Sequence, residues 1–169
     1  MSTDLEVRGP FFVPYTLSAK KIKQIDTKEA KTFWDADETK AVGAKQGVYV
    51  FALKASKGYR SVYIGKAGRS FKGEIFQPHK LKTYAHEFSE GAKDTPCFFF
   101  VCPKGMHKKV PIGICDEIET FMIQLAIQKN PRLRNDRKTK LADWSIAGLV
   151  RSMGKPSAKA SAFAKLIGM

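Results

Sequence analysis

Apolar and polar positions alternate in the strand manner over residues 47–53 (GVYVFAL) and 61–65 (SVYIG), and both runs are rich in Val, Ile, Tyr and Phe. The link between them, ASKGY, contains Gly58, the residue type a hairpin turn prefers, so the two runs are expected to pair antiparallel. CFFFVC at 97–102 predicts a third short strand. Residues 116–130, DEIETFMIQLAIQKN, carry the clearest helical pattern and are closed by Pro131. Residues 74–88 predict a helix after Pro78, which is tolerated near a helix start. Upstream, LSAKKIKQIDTKEAKTFWDA reads as helix-like, with Leu17, Ile22, Ile25, Phe33 and Trp34 free to dock on the main body. The order β-β-α-β-α predicts an α+β fold, a small three-stranded antiparallel sheet flanked by helices. No repeat, low-complexity tract or long linker divides the chain. Residues 1–45 are expected to form an N-terminal extension packed on the core, 46–136 the main domain, and 137–169 a basic C-terminal extension.

The helix over 116–130 contains one misplaced charge. With Ile118 at zero and about 100° per residue, Phe121, Met122 and Leu125 fall within a narrow apolar stripe, and Glu117, Gln124 and Gln128 gather on the wet side. Glu119 falls at about 100°, flanked by Met122, Ile123 and Ala126. A carboxylate there needs a cation, because an unpaired buried charge costs several kcal/mol. A lysine or arginine in a structural salt bridge and a metal ion both satisfy that need.

Charge changes the picture further. The 169 residues carry 30 Lys and Arg against 16 Asp and Glu, a net charge of +14, which favours a polyanion partner. From Gln128 onward, ten basic residues face two aspartates, so that quarter of the chain supplies +8 (10 − 2) of the total. A solvated basic face is the plainer reading; an excess both global and concentrated favours nucleic acid. Cys97, Cys102 and Cys115 are odd in number, lie in apolar surroundings and lack paired zinc-site spacing, so they read as core thiols. No 18-residue apolar run and no signal-peptide pattern is present, which reads as a soluble, cytoplasmic protein without a membrane partner.

Gly47-Val48-Tyr49, then Tyr63-Ile64-Gly65-Lys66, then Glu119 in a helix running on to Asn130-Pro131-Arg132-Leu133-Arg134-Asn135, resemble the GIY-YIG nuclease family over residues 45–136. Either tyrosine motif alone is weak; the two in register, joined to a glutamate-bearing helix and a Pro-x-x-x-Asn segment, are more specific. The stretch from Trp144 to Arg151, followed by GKPSA, looks like the tails of phage and restriction-type members. The resemblance implies a DNA endonuclease that hydrolyses phosphodiester bonds with Mg2+ or Mn2+, a restriction-type or mobile-element enzyme, and a homodimer if it cuts palindromic sites. A repair or structure-specific nuclease, and an inactive nucleic-acid-binding module of the same fold, are the alternatives.

The same resemblance distributes roles. Tyr49 would be general base or water positioner, and Tyr63 would support it; core packing is the competing reading for each. Glu119 would be the one protein ligand of a single divalent ion. Lys66 would meet the phosphate or help lower the tyrosine pKa, unless it is one more surface lysine. Position 73, where many members carry an essential arginine, is glycine. Arg69 and His79 are the candidates to share that role, with Glu74 as a structural partner. Lys72, Lys80, Lys129, Arg132, Arg134, Asn135, Arg137 and Lys138 are expected along the DNA, Asn135 bracing the site rather than reading bases. His86 and His107 read as surface residues.

Overall fold

Strand β1 (Leu5–Phe12) pairs with β6 (Thr95–Pro103), β6 with β4 (Gly47–Ala55), and β4 with β5 (Gly58–Ala67), all antiparallel. This four-stranded sheet, order β1-β6-β4-β5, is the centre of the computed structural model, which describes residues 4–56, 58–89, 91–105, 109–140, 145–150 and 155–168. The fold is α+β, and the expectation of three strands is corrected to four. β1 escaped the pattern because Gly9 and Pro10 interrupt it; an edge strand tolerates that interruption, and the register with β6 shifts between Arg8 and Phe11. A separate two-stranded ladder joins β2 (Thr16–Leu17) to β3 (Lys23–Gln24).

That ladder occupies the first half of the expected N-terminal helix. The helix proper, α1 (Thr27–Asp35), starts later because Asp26 caps it, accepting from the N–H groups of Lys28 and Glu29 while the Glu29 carboxylate accepts from Asp26 N–H. It is followed by α2 (Asp37–Gly43), α3 (Phe71–Glu74) and α4 (Pro78–Ala85). All four cover one face of the sheet through an aromatic core of Phe33, Phe51, Phe71, Tyr84, Phe98 and Phe100. Phe51 and Tyr84 stack at 4.1 Å between centroids. The other face, with Val48 and Ile64, is covered by α5 (Ile112–Lys129). The three cysteines are buried thiols.

The buried stripe of α5 differs from the expected one. Phe121 and Leu125 are exposed, while Cys115 and Ile123 are buried, so the contact face is centred on the side where Glu119 sits. The apolar residues of the helix spread over more than one stripe, leaving only the Glu117–Gln124–Gln128 side polar, and periodicity alone allowed either stripe.

The segment after α5 runs beside β5, an edge strand. Asn130 Nδ2 donates to the Ser61 carbonyl (2.6 Å), Arg134 N–H donates to that of Val62 (2.8 Å), and Asn135 both accepts from Ile64 N–H (3.0 Å) and donates to its carbonyl (2.6 Å). An open row of backbone groups is thereby satisfied. Residues Met1–Lys138 form one compact unit and Thr139–Met169 a second. The second contains α6 (Ala158–Leu166), capped by the Ser157 hydroxyl on Ala160 N–H (3.2 Å), and a bridge between Ile146 and Val150. Among the described residues no helix is long and apolar enough to cross a membrane. His107, Trp144, Arg151 and Gly154 lie outside the described residues.

Candidate active site

The two tyrosine motifs meet through their glycines. Tyr49 stands opposite Gly65, and Tyr63 opposite Phe51. A Cβ on Gly65 would lie 2.5 Å from Tyr49 Oη and 2.6 Å from its Cζ, so the second motif must end in glycine for the first motif's phenol to fit. Gly47 has φ +147°, and a Cβ there would collide with the Val101 carbonyl oxygen. Tyr49 is fully buried and has no room to step aside. Gly65→Ala is therefore expected to cost about 1–3 kcal/mol, the usual range for overpacking. A thermal melt checks it, and a variant melting with the wild type would mean that the Tyr49 ring can shift.

The Tyr49 and Tyr63 rings lie 6.2 Å apart on the α1–α4 face of the sheet. Tyr49 Oη is buried and meets no hydrogen-bond partner among the described residues. Burial first, then the phenols of Tyr84 and Tyr63 and the carboxylate of Glu74, push its ionisation far above the ordinary tyrosine value. The shift keeps Tyr49 a neutral phenol near neutral pH, which disfavours a tyrosinate base and leaves hydrogen bonding as its available chemistry. Tyr84, a neighbour that the motif did not point to, commits its own hydroxyl to the Ile75 carbonyl at 3.0 Å.

Lys80 belongs to this cluster rather than to the solvent-facing surface. Its ammonium donates to Tyr63 Oη at 2.6 Å, pairs with Glu74 at 3.5 Å and sits 4.5 Å from the centre of the Tyr63 ring. Its side chain is only 11% exposed, so the expectation of a surface contact to DNA is replaced by a buried cation held by a phenol and a carboxylate. Glu74, expected as a structural partner beside Arg69 and His79, pairs instead with Lys80. Arg69 precedes α3 and His79 lies in the first turn of α4; both are exposed.

A second charged cluster lies on the opposite face, where Lys66 and Glu119 come together although 53 positions apart in the chain (119 − 66). Alternation along β5 explains the change of face: Tyr63 and Gly65 point one way, Ile64 and Lys66 the other. Lys66 pairs with Asp116 and lies 4.0 Å from Glu119 Oε2. Lys138 donates to Glu119 Oε2 at 2.6 Å and to Asp116 Oδ1 at 2.7 Å. The Glu119 side chain is 12% exposed, that of Asp116 half exposed. Hydrogen bonds from Lys138, then Lys66, lower the Asp116 carboxyl to about 2. Burial opposes the Lys138 charge, but its bonds to Asp116 and Glu119 outweigh that and raise its pKa. Lys138 holds this position with φ +64°, an uncommon backbone for a residue with a side chain.

The structure thus gives Glu119 the lysine partner that the salt-bridge reading requires. Glu119 and Asp116 are also two hard oxygen donors one helical turn apart that already converge on a single cation, the Lys138 ammonium. Both carboxylates are satisfied here by Lys66 and Lys138, and among the described residues no group of three or more His, Cys, Asp or Glu side chains is placed to hold a metal ion, so a divalent ion of the magnesium type would need Lys138 to withdraw. Asp116 was not singled out in the sequence; its spacing of three from Glu119 on a helix was the available signal.

Of the residues expected along DNA, Lys72, Lys129, Arg132, Arg134 and Arg137 are exposed. Asn135 is tied to Ile64 on β5, and Lys138 to the carboxylate pair. His86 follows α4, beside Glu87, whose carboxylate binds both Arg60 and Arg134 at 2.6 Å. Compared with known protein families, with curated proteins and with solved structures, the chain matches none of them.

Proposed function

We propose that the protein is a divalent-metal-dependent DNA endonuclease of the GIY-YIG type that hydrolyses phosphodiester bonds, in a restriction-type or mobile-element role. The observation that carries this reading is the meeting of Lys66, the residue after Tyr63-Ile64-Gly65, with Glu119 of α5 in one charged cluster.

A magnesium or manganese ion held by Glu119, with Asp116 beside it, would supply Lewis-acid stabilisation of the charge that develops on the phosphate. The chain's own groups have narrower tasks. Lys66 provides positive charge beside Glu119, a role in phosphate neutralisation that requires no proton transfer. Lys80 fixes the Tyr63 hydroxyl by donating to its oxygen, leaving the phenolic hydrogen to donate outward. Tyr49 is un-ionised and its Oη is closed off from solvent, so its part in this reading is to orient a water only once substrate binding opens its pocket. The +14 net charge supports a polyanionic substrate.

A second reading, an inactive nucleic-acid-binding module, is favoured by Gly73 in place of the family's arginine and by the Lys138 ammonium on Glu119. Incubation of the full chain with supercoiled plasmid separates the two. Nicking or linearisation only when Mg2+ or Mn2+ is added is the expected result. Unchanged plasmid that is nonetheless retarded on a gel would replace the nuclease reading by the binding module.

A further inference from the structure

A cleft of about 500 Å3 lies at the hairpin end of β5, lined by Arg60, His86, Glu87, Asn130, Arg132 and Arg134. Three chain segments converge there: β5 through Arg60, the end of α4 through His86 and Glu87, and the segment after α5 through the other three. It is separate from the Lys66–Glu119 cluster, since Arg60 and Lys66 are six residues apart on one strand, about 20 Å at the usual rise.

Glu87 organises the cleft. Its side chain is 8% exposed; one carboxylate oxygen accepts from Arg60 Nη1 and the other from Arg134 Nε, each at 2.6 Å. Burial alone would raise the Glu87 carboxyl, but the bonds from Arg60 and then Arg134 outweigh it and hold it below its usual range. Each guanidinium has five N–H donors and spends one nitrogen here, so both are fixed in orientation with donors to spare. The arginine-bearing segment is itself fastened, because Asn130 Oδ1 accepts from Arg132 N–H (3.2 Å), its amide donates to Ser61, and Arg134 N–H donates to Val62. Three arginines against one carboxylate leave the cleft at +2 (3 − 1) without counting His86. A tie that served only to hold α4 against β5 needs the Glu87 pairs and no third arginine. Oriented guanidinium groups in net excess suit an anion with several oxygens in a fixed geometry, which is the chemistry of a phosphate.

We propose that the cleft of Arg60, Arg132 and Arg134, organised by Glu87, is a phosphate-binding site that seats a phosphodiester group of a nucleic-acid strand away from the Lys66–Glu119 cluster. The choice of a nucleic-acid strand over a free phosphate rests on the substrate class proposed above; the cleft itself does not depend on cleavage. Arg132 is exposed and carries no ion pair among the described residues, so Arg132→Ala is the variant least able to disturb the fold.

The test is fluorescence anisotropy of a labelled duplex of about 20 base pairs with the full chain, in EDTA, over a range of salt. Wild type, Arg132→Ala, Arg60→Ala and Lys20→Ala are compared, the last removing one charge from an exposed site elsewhere. Arg132→Ala is expected to weaken binding about 10-fold and to lower the log–log salt slope by about one unit, with Lys20→Ala within about 2-fold of wild type. Equal effects of Arg132→Ala and Lys20→Ala would overturn the cleft while leaving nucleic-acid binding in place. A wild type that binds no duplex at all would overturn both. Inorganic phosphate titrated against the arginine side-chain NMR signals is the second arm. Signals of Arg60, Arg132 and Arg134 that move with phosphate while the duplex affinity of Arg132→Ala stays at wild type would make this a free-anion site and overturn the proposal.

Discussion

Glu119→Gln is expected to reduce metal-dependent plasmid cleavage by about 1,000-fold or more, the scale of several kcal/mol of lost metal stabilisation, with DNA affinity little changed. Glutamine keeps the shape of the side chain and removes the anion on which a divalent ion depends. The surroundings make the variant informative about stability too. Lys138 bridges Glu119 and Asp116, so after the substitution its ammonium still has the Asp116 carboxylate at 2.7 Å and is not stranded. The melting temperature is therefore expected to fall only slightly. A Glu119 whose sole task is its ion pair leaves cleavage unchanged, with the same slight fall in melting temperature. Single-turnover cleavage distinguishes the two, a thermal melt on the same preparation checks the fold, and full activity in the variant would remove the anchor of the nuclease reading.

The second large effect is expected at Tyr49, where activity and stability should part company. Phenylalanine keeps the ring and its packing against Phe71 and Phe98 and deletes a hydroxyl that is buried without a hydrogen-bond partner among the described residues. An unsatisfied buried polar group costs about 1–3 kcal/mol, so Tyr49→Phe should melt at or above the wild-type temperature. Its single-turnover cleavage rate should nevertheless fall by about 100-fold, the scale of a lost positioning hydrogen bond in the reacting complex. A core tyrosine kept for packing alone would show no loss of rate. Wild-type cleavage by the variant would move attention to the Tyr63–Lys80 pair and then to His79.

These two residues illustrate how far the sequence could be read. Tyr49 and Glu119 stood out because each broke a local pattern, a phenol in an apolar strand and a carboxylate on the apolar side of a helix. Such breaks are visible in one dimension. What each side chain touches is not, because it is set by residues distant in the chain. Glu119 has Lys138 as its partner, nineteen positions on (138 − 119), in a segment without regular structure. Lys80, one of 30 basic residues, is expected from the sequence to lie along the DNA, and only the docking of α4 on the sheet puts its ammonium against Tyr63. Arg60 and Glu87 were passed over entirely, since neither interrupts a pattern in its own segment.

The sequence by itself determined the β4–β5 pair, the strand β6 and the helix α5, because hairpin turns, period-two alternation and a long apolar run closed by proline are short-range signals. It also determined that Tyr49 and Glu119 are anomalies needing a chemical or packing explanation. Only the tertiary structure decided that β1 crosses some ninety residues to pair with β6, with Leu5 opposite Pro103 and Phe12 opposite Cys97. It alone decided which side of α5 is buried, that Asn130, Arg134 and Asn135 satisfy the edge of β5, and that the tyrosines and Glu119 lie on opposite faces of one sheet. The physical reason is common to all of these. A strand that contains Gly-Pro and a helix with apolar residues beyond one stripe have no local preference strong enough to choose a partner, and the choice falls to whichever arrangement buries the most apolar surface while leaving the fewest polar groups unpaired.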